Sequence, residues 1–584
     1  MTPSDSSIDS RNLNTLWASV LAETLARCGV RHAIICPGSR SAPLAVAFAA
    51  HPEIAAEPVL DERSAAFFAL GMAKRLGQPV ALVCTSGTAA ANFFPAVIEA
   101  RESATPLIVL TADRPPELRA CGSGQTIDQQ KLYGDHAVLF HELAVPELRV
   151  ELLRYLRQTV AYAVARTLGP LAGAVHLNVP FRDPLAPEDD GGAAATLAHD
   201  IDWQAFFSQL APPESRLIAG EPPRIVPDTH GVIVVGPQLP GEREAAINAV
   251  AEIARRLGWP VLADGLSPVR NRMMEVANLV TTYDAVLRHE ATAERLKPEA
   301  VLCLGGWPTS KVLRAWIERS EARVWLAAGR ADSRDALHAR TMHLGASLPA
   351  LAASLPTGAE EGNGYQRMWA RAEEKVRPAI DQRFFNERTF FEPKVAWLLA
   401  RHLPSHTPLF VANSMPARDV EYVWPPNDRA VAIYSNRGAN GIDGTLSTAL
   451  GMAHAAHQPA ALLTGDLALL HDSNGFLLRG RLRGSLTVVL VNNRGGGIFE
   501  HLPIAGFEPP FEDYFATPQE TDFAKLCEAH GVAHTLVKDW PQFRALIGDL
   551  PSEGIRVLEV RTDRKADAAM RKAWFAELAA GLGS

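Results

Sequence analysis

Leu462-Leu463-Thr464-Gly465-Asp466 is answered by Val491-Asn492-Asn493-Arg494-Gly495-Gly496, with Asp466 and Asn493 standing 27 residues apart. Each stretch closes an apolar run, residues 460–463 and 486–491, and the segment Ser473 to Leu482 between them is expected to form a crossover helix. Strand, helix and strand make a βαβ unit, whose right-handed crossover sets both strand carboxyl ends on one rim of a parallel sheet, where ligands bind. Asp466 and Asn493 then point into one crevice. A carboxylate, an amide oxygen and a carbonyl from a glycine turn are hard oxygen donors, and Mg²⁺ takes about six of those, completed by water and phosphate oxygens. The glycines also let N–H groups approach a phosphate as a nest. The two turns are therefore expected to hold a metal diphosphate. The alternative is a pair of plain strand ends, since Gly-Asp and Asn-Asn are common turn dipeptides.

At 584 residues the chain exceeds what one hydrophobic core supports, so about two to four domains are expected. Apolar residues make up 47% and charged residues 21%, the balance of a globular enzyme rather than a disordered chain. The N-terminal residues Met1 to Asn14 are polar and no apolar run reaches membrane-spanning length, so a cytoplasmic protein with no membrane partner is expected. Six scattered cysteines without a C-x-x-C pair read as reduced buried thiols rather than a disulfide frame or zinc site. A formal charge of −8 argues against nucleic-acid binding, which needs a basic face. An anionic substrate would have to be drawn in by local arginines.

Strand and helix patterns alternate from the N-terminus: helix 13–27, strand 32–36, helix 42–50, strand 57–60, helix 63–76, strand 80–84, helix 88–101 and strand 107–112. Such alternation means a parallel sheet covered on both faces. Segments 184–198 and 212–230 read as linker or surface wrap. A second α/β rhythm comes next, with strands at 232–235, 260–263, 300–304 and 323–327. Its strand ends Val235-Gly236-Pro237 and Leu304-Gly305-Gly306 are similar to those of a Rossmann sheet, but no G-x-G-x-x-G accompanies them. After a break at 356–363, strands 409–412 and 431–434 and helix 444–454 lead into the opening βαβ unit, and strand 556–560 and helix 568–582 close the chain. The expectation is three doubly wound parallel-sheet α/β domains, near 1–185, 200–355 and 375–584.

Two further stretches carry chemistry. Cys36-Pro37-Gly38-Ser39-Arg40-Ser41 ends the first strand and opens a helix, which makes an anion site from helix N–H groups and a guanidinium, or else a serine cap beside a solvated arginine. Asp61-Glu62-Arg63 places two carboxylates in a first helical turn, where the dipole favours negative charge in any case.

Gly-Asp, a gap just under thirty residues, and Asn-Asn after an apolar strand resembles the thiamine diphosphate motif. Cys36-Pro-Gly-Ser-Arg-Ser, Asp61-Glu-Arg, Thr85-Ser-Gly-Thr, Thr111-Ala-Asp-Arg-Pro-Pro-Glu-Leu, Ser435-Asn-Arg-Gly-Ala-Asn-Gly-Ile-Asp-Gly and Val491-Asn-Asn-Arg-Gly-Gly-Gly-Ile-Phe sharpen the likeness. Within the thiamine diphosphate enzymes the chain is similar to the 2-succinyl-5-enolpyruvyl-6-hydroxy-3-cyclohexene-1-carboxylate synthases, along all three domains in order. The resemblance implies a pyrimidine-binding domain, a central domain and a diphosphate-binding domain. It makes Asp466, Asn493 and the Gly495 carbonyl ligands of Mg²⁺, or of Mn²⁺, and places Gly465, Gly496 and Ile498 against the cofactor with Ile442 wedged beneath it. Glu62 becomes the catalytic glutamate that hydrogen-bonds the aminopyrimidine ring. Ser39, Arg40, Arg114 and Gln125 line the substrate side of the first domain. Ser414, Arg418 and Arg437 grip substrate carboxylates, and Phe499 and Leu502 form apolar walls. Lys311 is the central domain's contribution to the acceptor site, although Val312 stands where the family carries a second basic residue.

The reaction so implied decarboxylates 2-oxoglutarate and adds the succinyl carbanion equivalent to isochorismate in menaquinone biosynthesis. The cofactor supplies the carbanion chemistry, and bidentate arginines suit two dianionic substrates. The chain has no His-His pair, which fits trapping by a carbon acceptor better than protonation. In the family the cofactor lies between two subunits, so a homodimer or dimer of dimers is implied. Two other readings stay open at this point. Another thiamine diphosphate carboligase or decarboxylase would need Glu62, Asp466 and Asn493 but not the arginines, and an inactive α/β nucleotide-binding protein would need none of them.

Overall fold

The computed structural model describes residues 7–213, 225, 230–356 and 364–583. Eighteen described strands form three six-stranded sheets, each parallel throughout. The chain divides into two compact units, one built from the described residues of 1–216, 437–455 and 472–482, the other from those of 217–436, 456–471 and 483–584.

The first unit holds β1 (His32–Ile35), β2 (Ala55–Pro58), β3 (Val80–Cys84), β4 (Leu107–Asp113), β5 (Leu139–Glu142) and β6 (Ala174–Pro180), in the order β2-β1-β3-β4-β6-β5. The central strands β3, β4 and β6 are buried along their whole length. The apolar runs of β3 and of residues 107–110 suit strands covered by helices on both faces, and the buried Thr111 that follows is paired, its hydroxyl meeting His176 at 2.7 Å and donating to Asn178 at 2.9 Å. Strand order reverses between β1 and β3, and the crevice at such a switch point is where open α/β sheets take ligands. The loops at that point are 36–41 and 85–88. They approach so closely that a Cβ on Gly38 would lie 2.2 Å from the Thr85 side chain.

In the same unit, helix Glu62–Leu76 crosses helix Thr445–Ala456 glycine to glycine. A Cβ on Gly71 would lie 2.0 Å from the Thr448 carbonyl, and one on Gly451 2.0 Å from the Phe68 carbonyl. Loop 437–440 is held by Glu99, whose buried carboxylate accepts from the N–H groups of Gly438 (3.1 Å) and Ala439 (2.7 Å) and pairs with buried Lys74 at 3.2 Å.

The second unit holds two sheets. The central one comprises β7 (Gly231–Val235), β8 (Val261–Ala263), β9 (Leu279–Val280), β10 (Ala300–Leu304), β11 (Arg323–Ala327) and β12 (Arg340–His343). Read as β9-β8-β7-β10-β11-β12, it has the doubly wound order of dinucleotide-binding sheets. The other comprises β13 (Pro408–Val411), β14 (Ala432–Tyr434), β15 (Pro459–Gly465), β16 (Ser485–Asn492), β17 (Ala533–Leu536) and β18 (Gly554–Arg561), ordered β14-β13-β15-β16-β18-β17. This repeats the winding of the first sheet strand for strand, so its switch point lies between β13 and β15.

Three local expectations are corrected. Residues 466–482 form a short α-helix, Asp466–His471, and then a 3₁₀ helix, Ser473–Arg481, in place of one crossover α-helix. Asp472 breaks the run because both its oxygens are engaged by Ser447, at the N–H (2.6 Å) and the hydroxyl (2.9 Å), and Gly475 and Gly480 disfavour α-helix in the turns beyond it. The helix expected over 88–101 splits into Thr88–Asn92 and Phe94–Glu102, since Pro95 has no N–H to continue the ladder. Segment 184–198 is not all linker, as helix Ala193–His199 begins within it. Most of the expected 212–230 and 356–363 breaks lies outside the described residues. No described helix is long and apolar enough to cross a membrane.

Candidate active site

At the β15–β16 rim, Gly465 pairs with Val491 in register, so the chain leaves both strands side by side at Asp466 and Asn493. Asp466 is 4% exposed. One of its oxygens accepts from the Leu467 N–H and the other from the Gly495 N–H, both at 2.8 Å. Burial still pushes this carboxyl up to about 6 against those two donors. Asn493 is buried as well, and its Nδ2 donates to Glu392 at 2.5 Å. Its Oδ1 has no hydrogen-bond partner among the described residues.

A buried amide oxygen without a donor costs free energy unless something electropositive meets it. A carboxylate, this oxygen and a glycine-turn carbonyl are three hard donors, too few for a full cage. That number suits a Mg²⁺ completed by phosphate oxygens and water, so the residues present fit the metal diphosphate expected of them.

Glycine is required around this corner. Gly495 sits at φ 137°, where a Cβ would meet the Ala516 carbonyl at 2.4 Å, and a Cβ on Gly497 would lie 2.6 Å from Asn493 Nδ2. Gly496 donates to the Ala516 carbonyl at 2.7 Å. Ile498 and Phe499 lie in the short 3₁₀ helix Gly497–His501, with Phe499 edge-on to Phe515. Leu502 caps that helix, 37% exposed.

At the neighbouring switch point, Ser414 caps helix Met415–Val423 with φ 70° and ψ −133°. A serine held there is strained backbone, which folds keep where the surroundings enforce it. Arg418, one turn on, donates to the Ser414 carbonyl at 2.8 Å. Burial pulls its guanidinium below the ordinary arginine value. Lys311 begins helix Lys311–Ser320 and is exposed. The preceding loop is fixed, because Ser310 donates to Asp284 at 2.5 Å and the Thr309 N–H donates to Asp264 at 2.5 Å. Val312 packs against the apolar core.

In the first unit the structure brings Arg40, Arg114 and Gln125 together. Arg114 donates to the Ser86 hydroxyl and to the Gln125 carbonyl (2.8 Å), and Gln125 donates back to the Ser86 carbonyl at 3.1 Å. Gln125 has φ 54°, a conformation uncommon for a residue with a side chain. Arg114 is held below its ordinary value first by burial and then by the charge of Arg40. Arg40 is 8% exposed, donates to the Phe181 carbonyl at 3.0 Å, and keeps its Nε without a partner among the described residues. Arg40 also pairs with the exposed Asp183 carboxylate at 3.7 Å; two crowded guanidiniums with a spare donor have the chemistry an anion site needs. Ser39 is exposed beside them, and Ser41 makes no side-chain cap.

Glu62 is the first residue of helix Glu62–Leu76, behind the Asp61 cap, which accepts from the Ser64 N–H at 2.9 Å. It lies near enough to the ends of β1 and β3 that its charge, after burial, helps push the Cys36 and Cys84 thiols up. Arg437 begins the loop that Glu99 pins, and Ile442 follows that loop, its carbonyl accepting from the Thr445 hydroxyl at 2.8 Å.

Sequence reasoning missed the residues that hold these groups in place: Glu99 and Lys74 under the 437–440 loop, Asp472 under Ser447, and Glu392 behind Asn493. Each is a charged residue in a helix or turn, with no local pattern to single it out.

Family profiles for thiamine pyrophosphate enzymes match three successive parts of the chain: the N-terminal TPP binding domain over 17–132, the middle domain over 214–411 and the C-terminal TPP binding domain over 421–560. A 2-succinyl-5-enolpyruvyl-6-hydroxy-3-cyclohexene-1-carboxylate synthase of Synechococcus sp. (strain JA-3-3Ab) is 52% identical, over 97% of each chain. The protein of that name from Gloeothece citriformis (strain PCC 7424) is 51% identical, over 97% of this chain and 98% of its own. Among solved structures, the benzoylformate decarboxylase of Polynucleobacter necessarius superposes with a TM-score of 0.66 over 94% of this chain and 98% of its own. At 14% identity that likeness speaks for the fold alone. The chain therefore belongs to the thiamine pyrophosphate enzyme family and, within it, to the 2-succinyl-5-enolpyruvyl-6-hydroxy-3-cyclohexene-1-carboxylate synthases.

Proposed function

We propose that the protein decarboxylates 2-oxoglutarate and joins the succinyl unit to isochorismate, giving 2-succinyl-5-enolpyruvyl-6-hydroxy-3-cyclohexene-1-carboxylate and CO₂ in menaquinone biosynthesis. The observation that carries this reading is identity of about half over nearly the full length of synthases bearing that name. Thiamine diphosphate, when bound, supplies the electron sink that makes loss of CO₂ and carbon–carbon bond formation accessible.

The chain's own residues then have defined tasks. Asp466, the Asn493 Oδ1 and the Gly495 carbonyl hold Mg²⁺ or Mn²⁺ and through it the diphosphate. Glu62 holds a proton against the aminopyrimidine ring. Arg40 and Arg114, crowded on one side, and Arg418 and Arg437, from the other sheet's loops, bind and orient the two dianions. Ile498, Phe499 and Leu502 keep water from the reacting carbon. Glu62 and Asp466 serve one cofactor from different subunits, so the working unit is a homodimer or a dimer of dimers in the cytoplasm.

The test is purified protein with thiamine diphosphate and Mg²⁺, given 2-oxoglutarate with and without isochorismate, following CO₂ release and isochorismate loss. Isochorismate consumption that requires 2-oxoglutarate, with pyruvate unable to replace it, is expected. Turnover of 2-oxoglutarate indifferent to isochorismate would refute the reaction.

A further inference from the structure

Behind Asn493 lies a buried ionic group that has no task in the proposed reaction. Glu392, at the head of helix Glu392–His402, is 3% exposed and accepts from Asn493 Nδ2 through one oxygen. Its other oxygen accepts from Arg571, on the final helix Arg564–Gly583, at 3.2 Å. Arg571 is itself buried and is fixed from two further sides. It donates to Asp419 at 2.6 Å and lies 3.0 Å from His501 Nε2. Burial and the arginines around it hold His501 down at about 4, so the ring is neutral and its nitrogen accepts from the guanidinium.

An asparagine side chain is symmetric in shape and opposite in polarity at its two ends. Rotated by half a turn, Asn493 would put an N–H₂ where a cation needs an oxygen. A carboxylate can only accept, so Glu392 allows one orientation: Nδ2 inward and Oδ1 out into the crevice, where it stands unpartnered among the described residues. We propose that Glu392, clamped by Arg571, is a positioning residue that fixes the polarity of the Asn493 amide and so makes it a metal ligand. This deepens the metal diphosphate reading and rests on it.

Glu392→Gln is nearly isosteric and makes a specific prediction. The Arg571 donors claim the single carbonyl oxygen of the new side chain, which turns its N–H₂ toward Asn493. The asparagine then rotates to offer its oxygen inward and its own N–H₂ to the metal. Loss of such an outer partner weakens metal binding by about 10- to 100-fold. Adding Asn493→Asp restores both polarities with the same net charge, because an aspartate accepts from the glutamine with one oxygen and faces the metal with the other.

The experiment titrates Mn²⁺ into the full-length protein with saturating thiamine diphosphate, reading free Mn²⁺ by electron paramagnetic resonance, with thermal unfolding in EDTA as the check on folding. Weakened binding in Glu392→Gln, recovered in Glu392→Gln/Asn493→Asp, is the expected result. A Glu392→Gln protein that binds within about twofold of the parent, where a 10-fold loss is the least expected, overturns the proposal. So does a double variant that folds and stays weak. Should Glu392→Gln not fold, Arg571→Lys carries the test. It keeps the charge and loosens the grip, and unchanged Mn²⁺ affinity there also overturns the proposal. If the parent itself shows no Mn²⁺-dependent binding of thiamine diphosphate, the underlying reading falls and takes this one with it, a result distinct from every variant outcome.

Discussion

Asp466→Asn, studied in metal-free protein, separates what this carboxylate does to the fold from what it does for the site. Burial lifts Asp466 to about 6, against an ordinary aspartate near 3.9. Below about pH 4 the group is protonated whether the chain is folded or not, and it carries no penalty. Between about pH 4 and 6 the unfolded chain releases the proton first, so stability falls as pH rises, and above that window the full difference is lost. At about 1.4 kcal/mol per tenfold change in proton affinity, this amounts to roughly 3 kcal/mol. Asparagine escapes that penalty but has one acceptor oxygen for two N–H groups, Leu467 and Gly495, a loss of about 1 kcal/mol. In EDTA the variant should therefore be more stable than the parent by roughly 2 kcal/mol at neutral pH and less stable by about 1 kcal/mol near pH 4. Urea unfolding of both proteins across this range measures the difference. Adding Mg²⁺ and thiamine diphosphate reverses the order at neutral pH, since only the parent gains from binding. A difference independent of pH, or a variant weaker than the parent at neutral pH in EDTA, would refute the reasoning.

Glu62→Gln should bind thiamine diphosphate as the parent does and lose about 10²- to 10⁴-fold in turnover, measured as isochorismate loss beside cofactor binding. Gly497→Ala puts a methyl group 2.6 Å from Asn493 Nδ2, so Mn²⁺ affinity measured in the folded protein should drop by about tenfold or more. Gly71→Ala drives a methyl group to 2.0 Å from the Thr448 carbonyl, backbone against side chain with nothing flexible to yield. It should cost about 1–3 kcal/mol in thermal or urea unfolding, and Gly451→Ala, the mirror contact, should behave alike.

The long buried strands were readable because they need no partner to be recognised. Residues 80–84, 107–112 and 486–491 are apolar but for Thr111 and Thr487, as befits strands covered on both faces. Short edge strands such as β5, half-buried with only two apolar residues, and β12, mostly exposed and largely polar, lack that signature. Helix Gly364–Asn386 carries an apolar stripe at Trp369, Ala372, Val376 and Ile380, but Pro378 interrupts it, and a proline there argues for a break from sequence alone. Within the site, the turns that meet ligands are glycine-rich and stand out. Glu392, Arg571 and Asp419 do not, because each comes from a different helix and their grouping exists only once the chain has folded.

The carboxylate of Glu99 reaches across 339 positions of sequence to the main chain of Gly438, next to an arginine proposed to hold substrate. The backbone beside that arginine is thus braced by a helix of the first sheet as well as by the strand that precedes it. A lesion near the amino end, at position 99 or 74, would announce itself in the laboratory as poor affinity for a dicarboxylate handled by the other end of the polypeptide.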